Sequence, residues 1–204
     1  MSDFIHQWVE GQPARPTVLA LHGTGGTERD LLSLAAGLFP GSAILSPRGN
    51  VSEQGANRFF RRLAEGVFDI ENLHAETDKL ADFVAQSSQK YGFDASRVVA
   101  LGYSNGANIA ASLLLSRPET LAGGILLRAM TPFEPEAPVN LAGKSVFIAA
   151  GRFDPIVPVD NVENLAKLLE NAGADVTLRW EQASHGLNSP EIEAARQFAA
   201  QKFA

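Results

Sequence analysis

The chain has 204 residues, 17 Lys and Arg against 23 Asp and Glu, a net charge of −6 and no cysteine. That length suits one domain with a full core, so residues 1–204 read as a single domain. The acidic balance argues against nucleic acid or an anionic membrane surface as the main partner, and the missing cysteine excludes disulfides, thiolate metal sites and a cysteine nucleophile.

The start of the chain carries Asp3 and Glu10 and no apolar run, so no signal peptide is expected. Nowhere do 18 apolar residues follow one another, so no membrane span is expected and the cytoplasm is the default location.

In chain order, residues 4–9 suggest an extra edge strand. A strand over 17–21 precedes a helix over 30–38, with Leu31, Leu34, Ala35 and Leu38 at helical spacing. After a strand over 42–45 comes a long connection, 47–70, that holds Phe59, Phe60 and Phe68. A helix follows over 71–91, then a strand over 97–101 and a helix over 105–116 that stops before Pro118. A strand over 124–127 leads into a second long loop, 128–144, with Pro132, Pro135 and Pro138, too short and proline-rich to fold as a helical cap. The chain ends with a strand over 145–150, a helix over 159–172 closed by Gly173, a strand over 175–180, and a helix over 190–203 with Ser189 as its cap. Most strand runs are apolar on both faces. This is the pattern of βα units around a mostly parallel sheet with helices on both sides.

The sharpest feature is Gly102-Tyr103-Ser104-Asn105-Gly106, placed between a predicted strand and a predicted helix. The string alone arises by chance in about one chain in ten of this composition. Its context, strand, then elbow, then helix, is what a serine nucleophile needs. Small residues permit the tight turn, the hydroxyl projects above the sheet, and the helix N-terminus favours negative charge. A serine hydroxyl needs a base, and the base needs an orienting carboxylate, in the chain order Ser, acid, His. His185 is the one histidine after Ser104. Of the acids between them, Asp154 directly follows a strand in a loop stiffened by Pro155 and Pro158, whereas Asp160 reads as a helix cap. An oxyanion hole would use the Asn105 amide and, from the glycine-rich run His22-Gly23-Thr24-Gly25-Gly26, the Thr24 amide. His22 reads as structural. No metal or cofactor is expected, because no spacing of ligands such as HExxH occurs.

Taken with Ser46-Pro47-Arg48-Gly49-Asn50, Arg58-Phe59-Phe60-Arg61-Arg62, Gly151-Arg152-Phe153-Asp154-Pro155-Ile156-Val157-Pro158 and Ser184-His185-Gly186, these motifs make almost the whole chain resemble an α/β-hydrolase. Within that fold it is similar to the phospholipase/carboxylesterase family related to dienelactone hydrolase, near the bacterial hydroquinone-inducible hydrolases. The resemblance implies a Ser104–Asp154–His185 triad with oxyanion amides at Thr24 and Asn105. It also implies hydrolysis of small, often short-chain, carboxylic esters, and a homodimer. Dienelactone hydrolase itself departs from this chain in using cysteine. Acyl-protein thioesterases of the family carry Gly-Phe-Ser-Gln-Gly-Gly at the elbow. The alternatives are thioester, lysophospholipid or lactone hydrolysis on the same triad, or a non-catalytic protein of this fold that binds a small ligand.

Phe59, Phe60, Phe68, Met130, Phe133 and Ile156 are candidates for the substrate pocket, with core packing as the alternative for each. Arg48 and Arg58 read as surface ion pairs, with an acidic substrate as the alternative. With no length left for a cap domain, the cleft should be open, walled by 47–70 and 128–144.

Overall fold

The computed structural model describes residues 4–204; Met1, Ser2 and Asp3, the last of them part of the start considered above, lie outside the described residues. A seven-stranded sheet runs in the order β1-β3-β2-β8-β9-β10-β11. Its strands are β1 (His6–Val9), β2 (Thr17–Leu21), β3 (Ala43–Pro47), β8 (Val98–Tyr103), β9 (Gly123–Leu127), β10 (Ser145–Gly151) and β11 (Asp175–Glu181). All neighbours are parallel except β1, which pairs antiparallel with β3 at one edge and so bears out the extra strand expected near the start.

Alternate residues of each central strand enter two separate cores. Val18, Ala20, Val99, Leu101, Ile125 and Leu127 face α1 (Leu32–Leu38) and α5 (Ser189–Lys202). Leu19, Leu21, Ala100, Leu126 and Ile148 face α2 (Ile70–Tyr91), α3 (Asn105–Ser116) and α4 (Val159–Asn171). Burial on both sides is why these strands are apolar at nearly every position. From β2 the chain crosses to β3 on one side, and β8 lies on the other. The crevice above β2 and β8 is therefore a topological switch point, where open α/β sheets bind ligands.

Three local expectations change. Residues 47–70 are more than a loop. They form two small antiparallel ribbons, β4 (Val51–Glu53) with β5 (Ala56–Arg58), and β6 (Arg62–Ala64) with β7 (Val67–Phe68). The first turns at Gln54 and Gly55, both at positive φ, and the second at Gly66. The last helix is capped by Asn188 rather than Ser189. The Asn188 side chain accepts from the Glu191 amide, and the Glu191 carboxylate accepts from the Asn188 amide, a reciprocal capping box. Asp160 caps nothing. Pro158 is the N-cap of α4, and Asp160 sits within the first turn, where its charge suits the helix dipole.

Candidate active site

The elbow places Ser104 between β8 and α3 with φ 53° and ψ −116°, a left-handed strain that a non-glycine residue rarely adopts. The flanking glycines are steric necessities. A Cβ on Gly106 would lie 2.0 Å from the Leu21 carbonyl oxygen, and one on Gly102 would lie 2.6 Å from the backbone of Gly106 and Ala107. The Ser104 amide donates to the Leu127 carbonyl at 2.9 Å, which latches the elbow to β9.

His185 and Asp154 arrive on the loops after β11 and β10. His185 Nε2 stands 2.9 Å from Ser104 Oγ, and its Nδ1 stands 2.7 Å from Asp154 Oδ2. The Asp154 side chain is only 1% exposed. Its two oxygens divide the work. Oδ2 meets the histidine, while Oδ1 accepts from the amides of Ile156 (2.8 Å) and Val157 (3.1 Å), an Asx-type turn ahead of α4. With Asp154 accepting at Nδ1, that nitrogen carries the proton and Nε2 is left as the acceptor for the serine hydroxyl.

Thr24 follows β2 and lines the same cleft as Ser104 and Asn105. Neither the Thr24 nor the Asn105 amide donates to a protein acceptor among the described residues. The Asn105 side chain is held by the Phe59 amide, which donates to its Oδ1 at 2.7 Å. Its Nδ2 is buried with no partner among the described residues. His22 supports the Thr24 loop from beneath, as its structural reading requires. Its Nδ1 pairs with the Gly23 carbonyl at 2.7 Å and its Nε2 accepts from the Gly49 amide at 3.0 Å. Burial holds the His22 imidazole below its ordinary pKa, which favours the neutral ring.

The cleft is small, about 240 Å³, below the range of typical drug-sized sites. Met130, Ile156 and Phe68 line it. Phe59 and Phe60 do not: both are buried in the core between the sheet and α2, where Phe60 packs edge-on against Phe68. Phe133 lies elsewhere, against His74 in a separate groove. The 128–144 segment therefore contributes Arg128 and Met130 to the cleft, while its proline-rich stretch stands away from it. Arg48 makes the expected ion pair, a two-bonded one to the buried Glu28. Arg58 does not stay on the surface. Its side chain is 4% exposed, lines the cleft and donates to Thr24 Oγ1 at 2.7 Å.

The residue that sequence reasoning missed altogether is Arg128. It leaves β9 at φ 59°, and its side chain and that of Glu191 are both 0% exposed. All five of its donors are used. Two go to Glu191 (2.6 and 2.8 Å), one to the Ala149 carbonyl (3.2 Å), and two to the carbonyls on either side of His185, Ser184 (3.1 Å) and Gly186 (2.6 Å). The Tyr103 hydroxyl donates to the His185 carbonyl itself at 3.1 Å. Three consecutive carbonyls of the histidine loop are thus tied down from below.

This sheet order and elbow define an α/β-hydrolase, and among the described residues there is no separate cap. Residues 8–202 match the phospholipase/carboxylesterase family, and the chain belongs to that family. It is 44% identical over 181 residues to a Bacillus subtilis protein named as a hydrolase, MhqD, covering 89% of this chain and 90% of that one. Among solved structures, a Bacillus cereus carboxylesterase is similar at 48% identity and a TM-score of 0.96, over 98% of this chain and 95% of its own. YahD, whose structure was solved with malic acid, is similar at 33% identity and a TM-score of 0.92, over 98% of each chain. Among the described residues no helix is long and apolar enough to cross a membrane.

Proposed function

We propose that the protein is a serine carboxylesterase that hydrolyses short-chain esters through an acyl-enzyme on Ser104. The observation that carries this reading is the unbroken line from Asp154 Oδ2 through His185 to Ser104 Oγ, with 2.7 and 2.9 Å between the heavy atoms.

In the proposed reaction Ser104 Oγ attacks the ester carbonyl while His185 Nε2 takes its proton. Asp154 keeps the other ring proton on Nδ1 and stabilises the imidazolium. The carbonyl oxygen becomes an oxyanion facing the free amides of Thr24 and Asn105; losing one such donor typically costs about 10²–10³ in kcat. His185 then protonates the leaving alcohol. Water repeats the sequence on the acyl-enzyme and releases the acid. The strained Ser104 backbone favours the role, because such strain persists where function requires it. The cleft volume of about 240 Å³ favours short acyl chains.

The test is hydrolysis of 4-nitrophenyl acetate by the wild type and by Ser104→Ala, with fluorophosphonate labelling in parallel. Turnover and labelling in the wild type, both lost in the variant, are expected. Equal inactivity of the two proteins with no label on Ser104 would overturn the reading. A series of longer acyl esters should show kcat/KM falling beyond short chains.

A further inference from the structure

Among the described residues, the charged ones that line the cleft are Arg58, Arg62 and Arg128, with His185, and no carboxylate lines it. That is a local reversal in a chain whose net charge is −6. Arg128 is not available to a ligand, because Glu191 neutralises it and its donors are all used. The other two differ. Arg58 and Arg62 share a single counter-ion, Glu53, which lies 3.1 Å from Arg58 Nε and 2.9 Å from Arg62 Nε. Two guanidinium groups against one carboxylate leave one positive charge uncompensated at the cleft wall.

The unused donors point to the same place. Arg58 spends Nη1 on Thr24 Oγ1 and Nε on Glu53 and the Phe60 carbonyl. Arg62 meets Glu53 through Nε, and among the described residues its terminal nitrogens meet no acceptor. Arg62 is 32% exposed at the side chain and Arg58 almost buried, so one is open to an entering anion and the other is desolvated beneath it. Burial and the neighbouring Arg62 both work against the Arg58 charge, a cost that a second anion would relieve. Because Arg58 touches Thr24, this charge lies beside one of the two amides assigned to the oxyanion.

We propose that the cleft selects esters carrying a carboxylate within a few bonds of the scissile carbonyl, seated on the Arg58–Arg62 pair. The proposal rests on the esterase reading above. Glu53 has two roles in it: it joins the two ribbons β4–β5 and β6–β7, and it holds both guanidinium groups in place while cancelling only one of them. A planar guanidinium fork suits a carboxylate, and charge-assisted hydrogen bonds are the stronger kind.

The experiment compares pairs of related substrates, one member of each pair carrying a carboxylate that the other lacks. Mono-(4-nitrophenyl) glutarate against 4-nitrophenyl pentanoate places the carboxylate on the acid side. 4-Acetoxybenzoate against phenyl acetate places it on the alcohol side. In the wild type at low salt, kcat/KM for the charged member of at least one pair is expected to exceed that of its neutral partner about tenfold or more. That ratio should shrink as salt rises. It should fall toward one in Arg62→Gln and be largely retained in Arg62→Lys. Neutral esters hydrolysed as fast as or faster than both charged partners would overturn the proposal while leaving the esterase reading intact. So would a charge preference that Arg62→Gln and Arg58→Gln leave unchanged. Failure of every ester together with failure of fluorophosphonate labelling would overturn both.

Discussion

Replacing Glu191 by Gln should weaken the whole fold and slow the chemistry at once, although Glu191 touches neither Ser104 nor the cleft. The substitution keeps the shape of the side chain and removes its charge. Arg128 would then hold a buried positive charge met by neutral acceptors alone, the carbonyls of Ala149, Ser184 and Gly186 and the amide oxygen in place of Glu191 Oε1. Removing one partner of a buried ion pair typically costs about 3–5 kcal/mol. The three carbonyls remain, and the glutamine oxygen can still accept from the Asn188 amide, so the lower end, about 3 kcal/mol, is expected. For a chain of this size that corresponds to a fall in Tm of about 6–12 °C. It is a large part of an ordinary stability of about 5–15 kcal/mol, but the protein should still fold. Urea unfolding should show a lower midpoint at unchanged slope. At a temperature where the variant is folded, kcat for a neutral ester should drop about 10- to 100-fold, because Arg128, no longer pinned by a carboxylate, holds the His185 loop less precisely. The double variant Arg128→Met with Glu191→Leu separates the two effects. It removes both charges and should regain stability relative to Glu191→Gln, yet remain slow, since the Ser184 and Gly186 carbonyls have lost their donor. A stability loss below about 1 kcal/mol in Glu191→Gln, the scale of a surface pair, would refute the reasoning. So would a double variant less stable than the single one.

Asp154→Asn should lower kcat by about 10³–10⁴, with labelling of Ser104 correspondingly slow, because the amide no longer fixes the proton on Nδ1; a full-rate variant would remove Asp154 from the mechanism. Gly106→Ala should cost more than about 2 kcal/mol in urea unfolding, since its methyl would sit 2.0 Å from a backbone oxygen. His22 gives a pH dependence. Its folded pKa lies below the ordinary 6.5, so the unfolded chain binds the proton more readily. Its contribution is complete above about pH 6.5 and is lost as pH falls through the depressed folded value. Protonation also turns the acceptor at Nε2 into a donor facing the Gly49 amide. Wild-type stability should therefore fall more steeply between about pH 7 and 5 than that of His22→Gln, and parallel curves would show that His22 does not carry the effect.

The parallel strands were readable in the sequence because both faces are buried, which makes each strand a continuous apolar run. The elbow was readable because sterics leave only glycine at 102 and 106. Asp154 could be singled out among the nine acids between Ser104 and His185 because it lies just after a strand, in a loop bounded by Pro155 and Pro158. Other features are invisible for physical reasons. Arg128 and Glu191 stand 63 positions apart, and only the fold brings the end of β9 under the first turn of α5. The one local hint was Asn188 three residues before Glu191, the spacing of a capping box. The ribbons of 47–70 turn at Gln54-Gly55 and Glu65-Gly66, and Gln is an unusual choice for the left-handed position it takes. Aromatic identity could not tell Phe59 and Phe60, which enter the core, from Phe68, which reaches the cleft. A run of apolar residues carries no sign of which cavity it lines.

The end of β9 ties these parts together. Its Leu127 carbonyl latches the serine elbow and the next residue grips the histidine loop. Met130, whose amide donates to Asn108, reaches the cleft. Since β9 lies between β8 and β10, none of these links can form until residues from the middle and the end of the chain have paired in register. During refolding, esterase activity should therefore return later than helical content and in step with the last sheet contacts. Recovery of turnover then reports completion of the sheet, whose pairings join distant parts of the chain.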